Sequence, residues 1–171
     1  MHGHEHHHYN SKTCWRTFSS DVLERLHQRI LITKDELSHF GSAVIIPDQT
    51  AESLRQGLVQ TIAPIISGEG GEVKVDPAPG FQSLTQNQDN DIILQNLKLK
   101  IVVGDPLNQN KNPVAEALKR ELLALSVHNS PIDQAILSLA THNLNMRIRA
   151  GGLSANEVNS QGHVDRKALE H

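Results

Sequence analysis

Aromatic side chains make up only 3% of the 171 residues, so a core built from this chain must be aliphatic. Cysteine is almost missing: Cys14 stands alone. No internal disulfide is possible, and a reducing, intracellular setting is the expectation. No apolar run approaches the roughly 18 residues that span a bilayer. The histidine-rich start lacks the apolar stretch of a secretory signal. An excess of positive charge is missing too. Sixteen Lys and Arg stand against 19 Asp and Glu, for a net charge of -3, which is not the basic footprint of a nucleic-acid binder. Carboxylates in such number do suit a protein whose site is reversed in charge by bound divalent cations. What remains is a chain long enough for one domain with a real core. It shows no internal repeat and no linker.

Both ends read as additions. His2, His4, His6, His7 and His8 are too densely spaced for a fixed metal geometry and read as a purification tag. Leu169-Glu170-His171 reads as a vector scar. The expected organisation is a tag over 1–12, a folded core over 13–160 and a tail over 161–171.

Apolar periodicity predicts strands over Phe18–Leu26, Arg29–Lys34 and Ser42–Ile46, with short connections that imply an antiparallel meander. Thr50 then suits a helix N-cap. Leu54, Leu58, Ile62 and Ile65 recur at helical spacing, predicting a helix over Ala51–Ile65. Val73 and Val75 alternate in a fourth strand, Glu72–Asp76, and Pro77-Ala78-Pro79-Gly80 forces a turn after it. Phe81–Leu97 is polar, with a helix expected in its second half. Leu99–Val103 reads as a fifth strand and Asp105–Lys111 as a loop. Asn112 as cap and Pro113 as first residue open a helix whose Val114, Leu118, Leu122 and Leu125 share a face. A last helix is predicted from Pro131 to about Arg149, capped by Ser130 with Asp133 behind it, and one more turn over Leu153–Val158. The order βββ-α-β-α-β-α-α implies an α/β fold. It is a five-stranded mixed sheet, its first three strands antiparallel, flanked by helices, and this order is typical of the ribonuclease H-like fold.

Three carboxylates stand out. Asp21 lies within an apolar-patterned strand, where an acid is costly unless something binds it. Asp76 closes the fourth strand, and in open sheets sites gather at such strand ends. At about 100° per residue, Glu116 lies opposite Val114, on the exposed side that also carries Lys119 and Arg120. Magnesium and manganese take oxygen ligands of this kind. The same residues fit plainer roles: Asp76 could satisfy turn amides, and Glu116 could be an exposed partner of Lys119 or Arg120.

The local words sharpen this. Val75-Asp76-Pro77-Ala78-Pro79-Gly80-Phe81 resembles the segment around the second catalytic Asp in integrases of metazoan long-terminal-repeat retrotransposons. Asn110-Lys111-Asn112-Pro113-Val114-Ala115-Glu116 resembles the stretch that bears their catalytic Glu, and Ser20-Asp21-Val22-Leu23 fits the strand with the first Asp. Ile46 to Leu54 and Leu144 to Arg149 are similar to that family as well. The similarity runs from about Phe18 to Val158. The interval from Asp76 to Glu116 is a few residues longer than in retroviral members, an excess the polar loop can hold. Full-length members also carry a zinc module with two His and two Cys, which a chain with one Cys cannot supply, and a C-terminal DNA-binding domain. The resemblance therefore implies an isolated catalytic core.

What it implies about function is specific. The chain would be a nuclear polynucleotidyl transferase, made in the cytoplasm, that processes the 3′-ends of element DNA and joins them to target DNA. Asp21, Asp76 and Glu116 would hold two Mg²⁺ or Mn²⁺ ions. Asn112, Lys119 and Arg120 would contact DNA, and cores of this family usually pair as homodimers. Two alternatives share the motifs: a domesticated, non-catalytic module that binds DNA or a partner, and another ribonuclease H-like nuclease or transposase.

Overall fold

The computed structural model describes residues 15–104, 113–125 and 130–147. Five strands form one sheet in the order β3-β2-β1-β4-β5. They are β1 (Arg16–Arg25), β2 (Gln28–Asp35), β3 (Gly41–Ile46), β4 (Gly71–Val75) and β5 (Leu99–Val103). The first three are antiparallel neighbours, whereas β4 runs parallel to both β1 and β5. Helices cover both faces, as the element order implies.

Side-chain alternation along the strands divides the core in two. On one face, Phe18, Leu31, Val73 and Val75 pack against α1 (Ala51–Ile62), α2 (Pro79–Asn87) and α3 (Ile92–Leu97). On the other, Leu23, Ile30 and Ile32 pack against α4 (Pro113–Leu125) and α5 (Gln134–Arg147). The buried hydrophobic side chains are aliphatic apart from Phe18 and Phe81. No described helix is long and apolar enough to cross a membrane.

Several boundaries differ from the sequence expectation, each for a local reason. Leu26, expected in β1, lies in the hairpin turn: Leu26 and His27 both adopt positive φ, 46° and 65°, so that Arg25 pairs with Gln28. Helix α1 begins at its Thr50 cap, which accepts from Ser53 N, but stops at Ile62 rather than Ile65. Ala63 keeps helical geometry and donates to Val59 O, but Pro64 has no N–H with which to continue the ladder. Helix was expected only in the second half of Phe81–Leu97, yet α2 starts at Pro79. Pro79, in the turn that ends β4, serves equally well at the first position of a helix. The second half is helical only as the short α3, opened by Asp91, whose carboxylate accepts from Ile93 N and Leu94 N. Asp133, not Ser130, caps α5, accepting from Ile136 N at 2.8 Å, and the expected end near Arg149 lies outside the described residues. In α4, Leu118 and Leu122 are buried as expected, whereas Leu125 is exposed at the helix end. Asn112, the Asp105–Lys111 loop and the Leu153–Val158 turn lie outside the described residues.

Candidate active site

Strand pairing brings the two aspartates together. Leu23, two residues on from Asp21, belongs to the α4–α5 face, and Asp21 sits opposite Ile32 of that same face. Strand β4 lies beside β1 with Phe18 abreast of Val73 and Ser19 abreast of Lys74. Continuing this register brings Asp76, the residue after β4, level with Asp21. Val75 points into the α1–α2 core, so alternation turns Asp76 toward Asp21. The two carboxyls hydrogen-bond each other.

The turn after Asp76 is held from below. A Cβ on Gly80 would lie 2.3 Å from the Gln49 carbonyl oxygen and 2.7 Å from Leu54 Cδ1. Only glycine lets the start of α2 approach the chain entering α1 this closely. Gln82 Nε2 also donates to the Pro77 carbonyl at 2.9 Å. Asp21 is fixed in its own way: Val22 N donates to its Oδ1 at 2.8 Å.

Electrostatics mark this pair as unusual. Partial burial, then the hydrogen bond and charge of Asp21, push Asp76 up to about 6. Two acids this close resist ionising together. A divalent cation between them would remove that repulsion, so the donor set fits a hard cation bound by oxygen.

Glu116 faces Asp21 from α4. A cavity of about 350 Å³ has Asp21, Leu23 and Glu24 on one wall and Ala115, Glu116 and Lys119 on the other. Glu116 Oε2 lies 3.3 Å from Lys119 Nζ, so the ion pair that the i,i+3 spacing allowed is formed. Arg120 is exposed on the same helix and is not part of the cavity wall. Thus Asp21 and Asp76 touch, and Glu116 shares a cavity with Asp21. Among the described residues no three acidic, His or Cys side chains converge into a ready-made metal cluster.

Glu24 was not singled out from the sequence. It accepts from Gln49 Nε2 at 2.8 Å and lies 3.7 Å from Arg29 Nε. Strict alternation assigns it to the face opposite Asp21, so the strand pattern carries no signal for it. A larger cavity, about 450 Å³, opens beside Glu52, Arg55 and Asp91. There Arg55 is already paired with Asp91 and Glu52, so its charges do not converge on open space.

No protein-family model matches the sequence, and no curated protein matches it. Among solved structures, the chain is similar to the crystal structure of the catalytic core domain of BIV integrase, with a TM-score of 0.64 and 22% identity. The match covers 85% of this chain and 94% of that one. At that identity the likeness speaks for the fold. The five-stranded mixed sheet and its flanking helices therefore share the ribonuclease H-like fold of that solved domain.

Proposed function

We propose that this chain is the catalytic core of a retroelement integrase, a polynucleotidyl transferase that trims the 3′-ends of element DNA and joins them to target DNA. The observation that carries the reading is the contact between Asp21 and Asp76 at the carboxyl end of β4, with Glu116 across the adjoining cavity. Fold likeness alone would not carry it, because one fold hosts many chemistries.

Asp21 and Asp76 would hold one Mg²⁺ or Mn²⁺ ion, and Asp21 with Glu116 a second. Such ions, when bound, activate an attacking oxygen and stabilise a leaving one. Asp76 has to give up its raised proton affinity to serve as a ligand. Glu116 has to exchange its Lys119 partner for the site. Lys119, at the cavity wall, is then released to meet a DNA phosphate, Arg120 on the same helix would add a second phosphate contact, and Asn112 would position the DNA. Water and then a DNA 3′-hydroxyl are the nucleophiles, so no side chain forms a covalent bond to DNA. DNA-bound homodimers acting in the nucleus complete the proposal.

Asp76→Asn should keep the fold and abolish Mg²⁺- or Mn²⁺-dependent strand transfer by an integrase carrying this core. Unchanged strand transfer would sink the assignment. The Glu116–Lys119 ion pair is the one observation that favours the alternative, a domesticated module that binds DNA or a partner without catalysis. For that module the same substitution would leave its binding unaltered. Another ribonuclease H-like nuclease or transposase would instead cut RNA–DNA hybrids or act at inverted repeats.

A further inference from the structure

Open sheets carry a hazard at each edge, because a free strand offers a row of unpaired N–H and C=O groups to another chain. Here the edges are β3 and β5. Strand β3 reads Gly-Ser-Ala-Val-Ile-Ile, uncharged and rich in β-branched residues, which is the composition that pairs readily with a copy of itself.

Both edges are met by side-chain amides in the same way. On β3, Asn145 Oδ1 accepts from Gly41 N at 2.8 Å while its Nδ2 donates to Gly41 O at 3.0 Å. Further along, Gln134 Oε1 accepts from Ile45 N at 3.3 Å, and its Nε2 donates to Ala43 O at 3.4 Å. On β5, Gln88 Oε1 accepts from Ile101 N at 2.8 Å and its Nε2 donates to Ile101 O at 3.0 Å. Lys98 O and Gly104 N bond toward β4, so by alternation the Ile101 groups face outward. An amide carries one acceptor and one donor group side by side, the pairing that a strand residue presents to its neighbour. Asn145 is only 2% exposed, although an asparagine is ordinarily at the surface.

We propose that Gln88, Gln134 and Asn145 are edge guards: their amides stand in for a sixth and seventh strand and keep the sheet from extending into a second copy of this chain. Gln134 and Asn145 guard the outer edge of β3, whose occupant on release is the β3 edge of another copy, antiparallel to it; Gln88 does the same service on β5. Dimers formed through helices would be unaffected, because the guards act on strand edges.

The test is to remove the guards singly. Gln134→Ala and Gln88→Ala alter residues outside the core, and Asn145→Asp keeps the acceptor for Gly41 N while losing the donor for Gly41 O. Hydrogen exchange followed by NMR should accelerate by about fivefold or more at Ile45 in Gln134→Ala and at Ile101 in Gln88→Ala, the factor that matches about 1 kcal/mol for one net hydrogen bond. Sedimentation velocity should show concentration-dependent species larger than the parent's for Gln134→Ala and Asn145→Asp. Adding Ser42→Lys, a charge on the β3 edge, should suppress them. Faster exchange with unchanged sedimentation would overturn the proposal and leave the amides a purely structural role. Association that Ser42→Lys does not suppress would overturn it as well.

Discussion

Asp76 hydrogen-bonds Asp21 across two neighbouring parallel strands, and partial burial together with that contact pushes Asp76 up to about 6. The consequence for stability has a definite sign. Between the ordinary aspartate range and about 6, the folded chain keeps a proton that the unfolded chain has released. Stability therefore falls as pH rises through that window and stays reduced above it. Asp76→Asn should be more stable than the parent at pH 7.5 without metal. Solvent screening of this half-exposed pair holds the gain to about 1 kcal/mol, or about 2–4 °C in Tm. The difference should vanish as pH falls toward 4. Saturating Mg²⁺ should raise the Tm of the parent at pH 7.5 and leave Asp76→Asn unmoved. Calorimetry at the two pH values, with and without Mg²⁺, checks both statements.

The β1–β2 hairpin is a site of backbone strain. Two-residue hairpin turns with both central residues at positive φ favour Asn-Gly, and here the positions are held by Leu26 and His27. Each non-glycine residue in that region costs about 1 kcal/mol or more. Both side chains are exposed, so little packing is lost on replacing them. The double substitution Leu26→Asn, His27→Gly should stabilise the fold by about 1–2 kcal/mol in urea unfolding, with an unchanged m-value.

Gly80 should be intolerant of a side chain. Its hydrogen faces a backbone carbonyl, which cannot swing away as a flexible side chain could. Gly80→Ala should cost about 1–3 kcal/mol. Because the same turn carries Asp76, it should also weaken Mn²⁺ binding measured by titration calorimetry. A variant with parental stability and parental Mn²⁺ affinity would show that the turn does not position Asp76.

Much of this is readable in the sequence, and the unread parts have two causes. Asp21 in an apolar strand, Asp76 before a proline turn and Glu116 after Asn-Pro are local patterns. So is the Glu116–Lys119 pair, which follows from helical spacing. The level placement of Asp21 with Asp76 is different, since it depends on how β1 and β4 register across the long stretch between them. The same holds for Asn145 on Gly41 and Gln88 on Ile101, where polar residues with no local signature find backbone far away in sequence. Helix α2 was missed because its turn is polar and proline-rich, a pattern that both ends a strand and opens a helix.

Lys119 offers a direct view of the DNA surface. As a phosphate contact, its loss in Lys119→Ala should weaken DNA binding about equally for all sequences. The slope of log K against log salt should become shallower by about 1. Fluorescence anisotropy over a salt series reads both. An unchanged slope would mean that Lys119 serves only as the ion-pair partner of Glu116.

The central claim is that Asp21 and Asp76 are joint ligands of a divalent ion, with Glu116 completing the site. The most direct measurement is a crystal structure of this chain soaked in Mn²⁺, with anomalous scattering to locate the metal. The account predicts manganese bridging the Asp21 and Asp76 carboxylates, and Glu116 turned from Lys119 toward the cavity. Manganese bound elsewhere, or no manganese while the Asp21–Asp76 hydrogen bond persists, would contradict it.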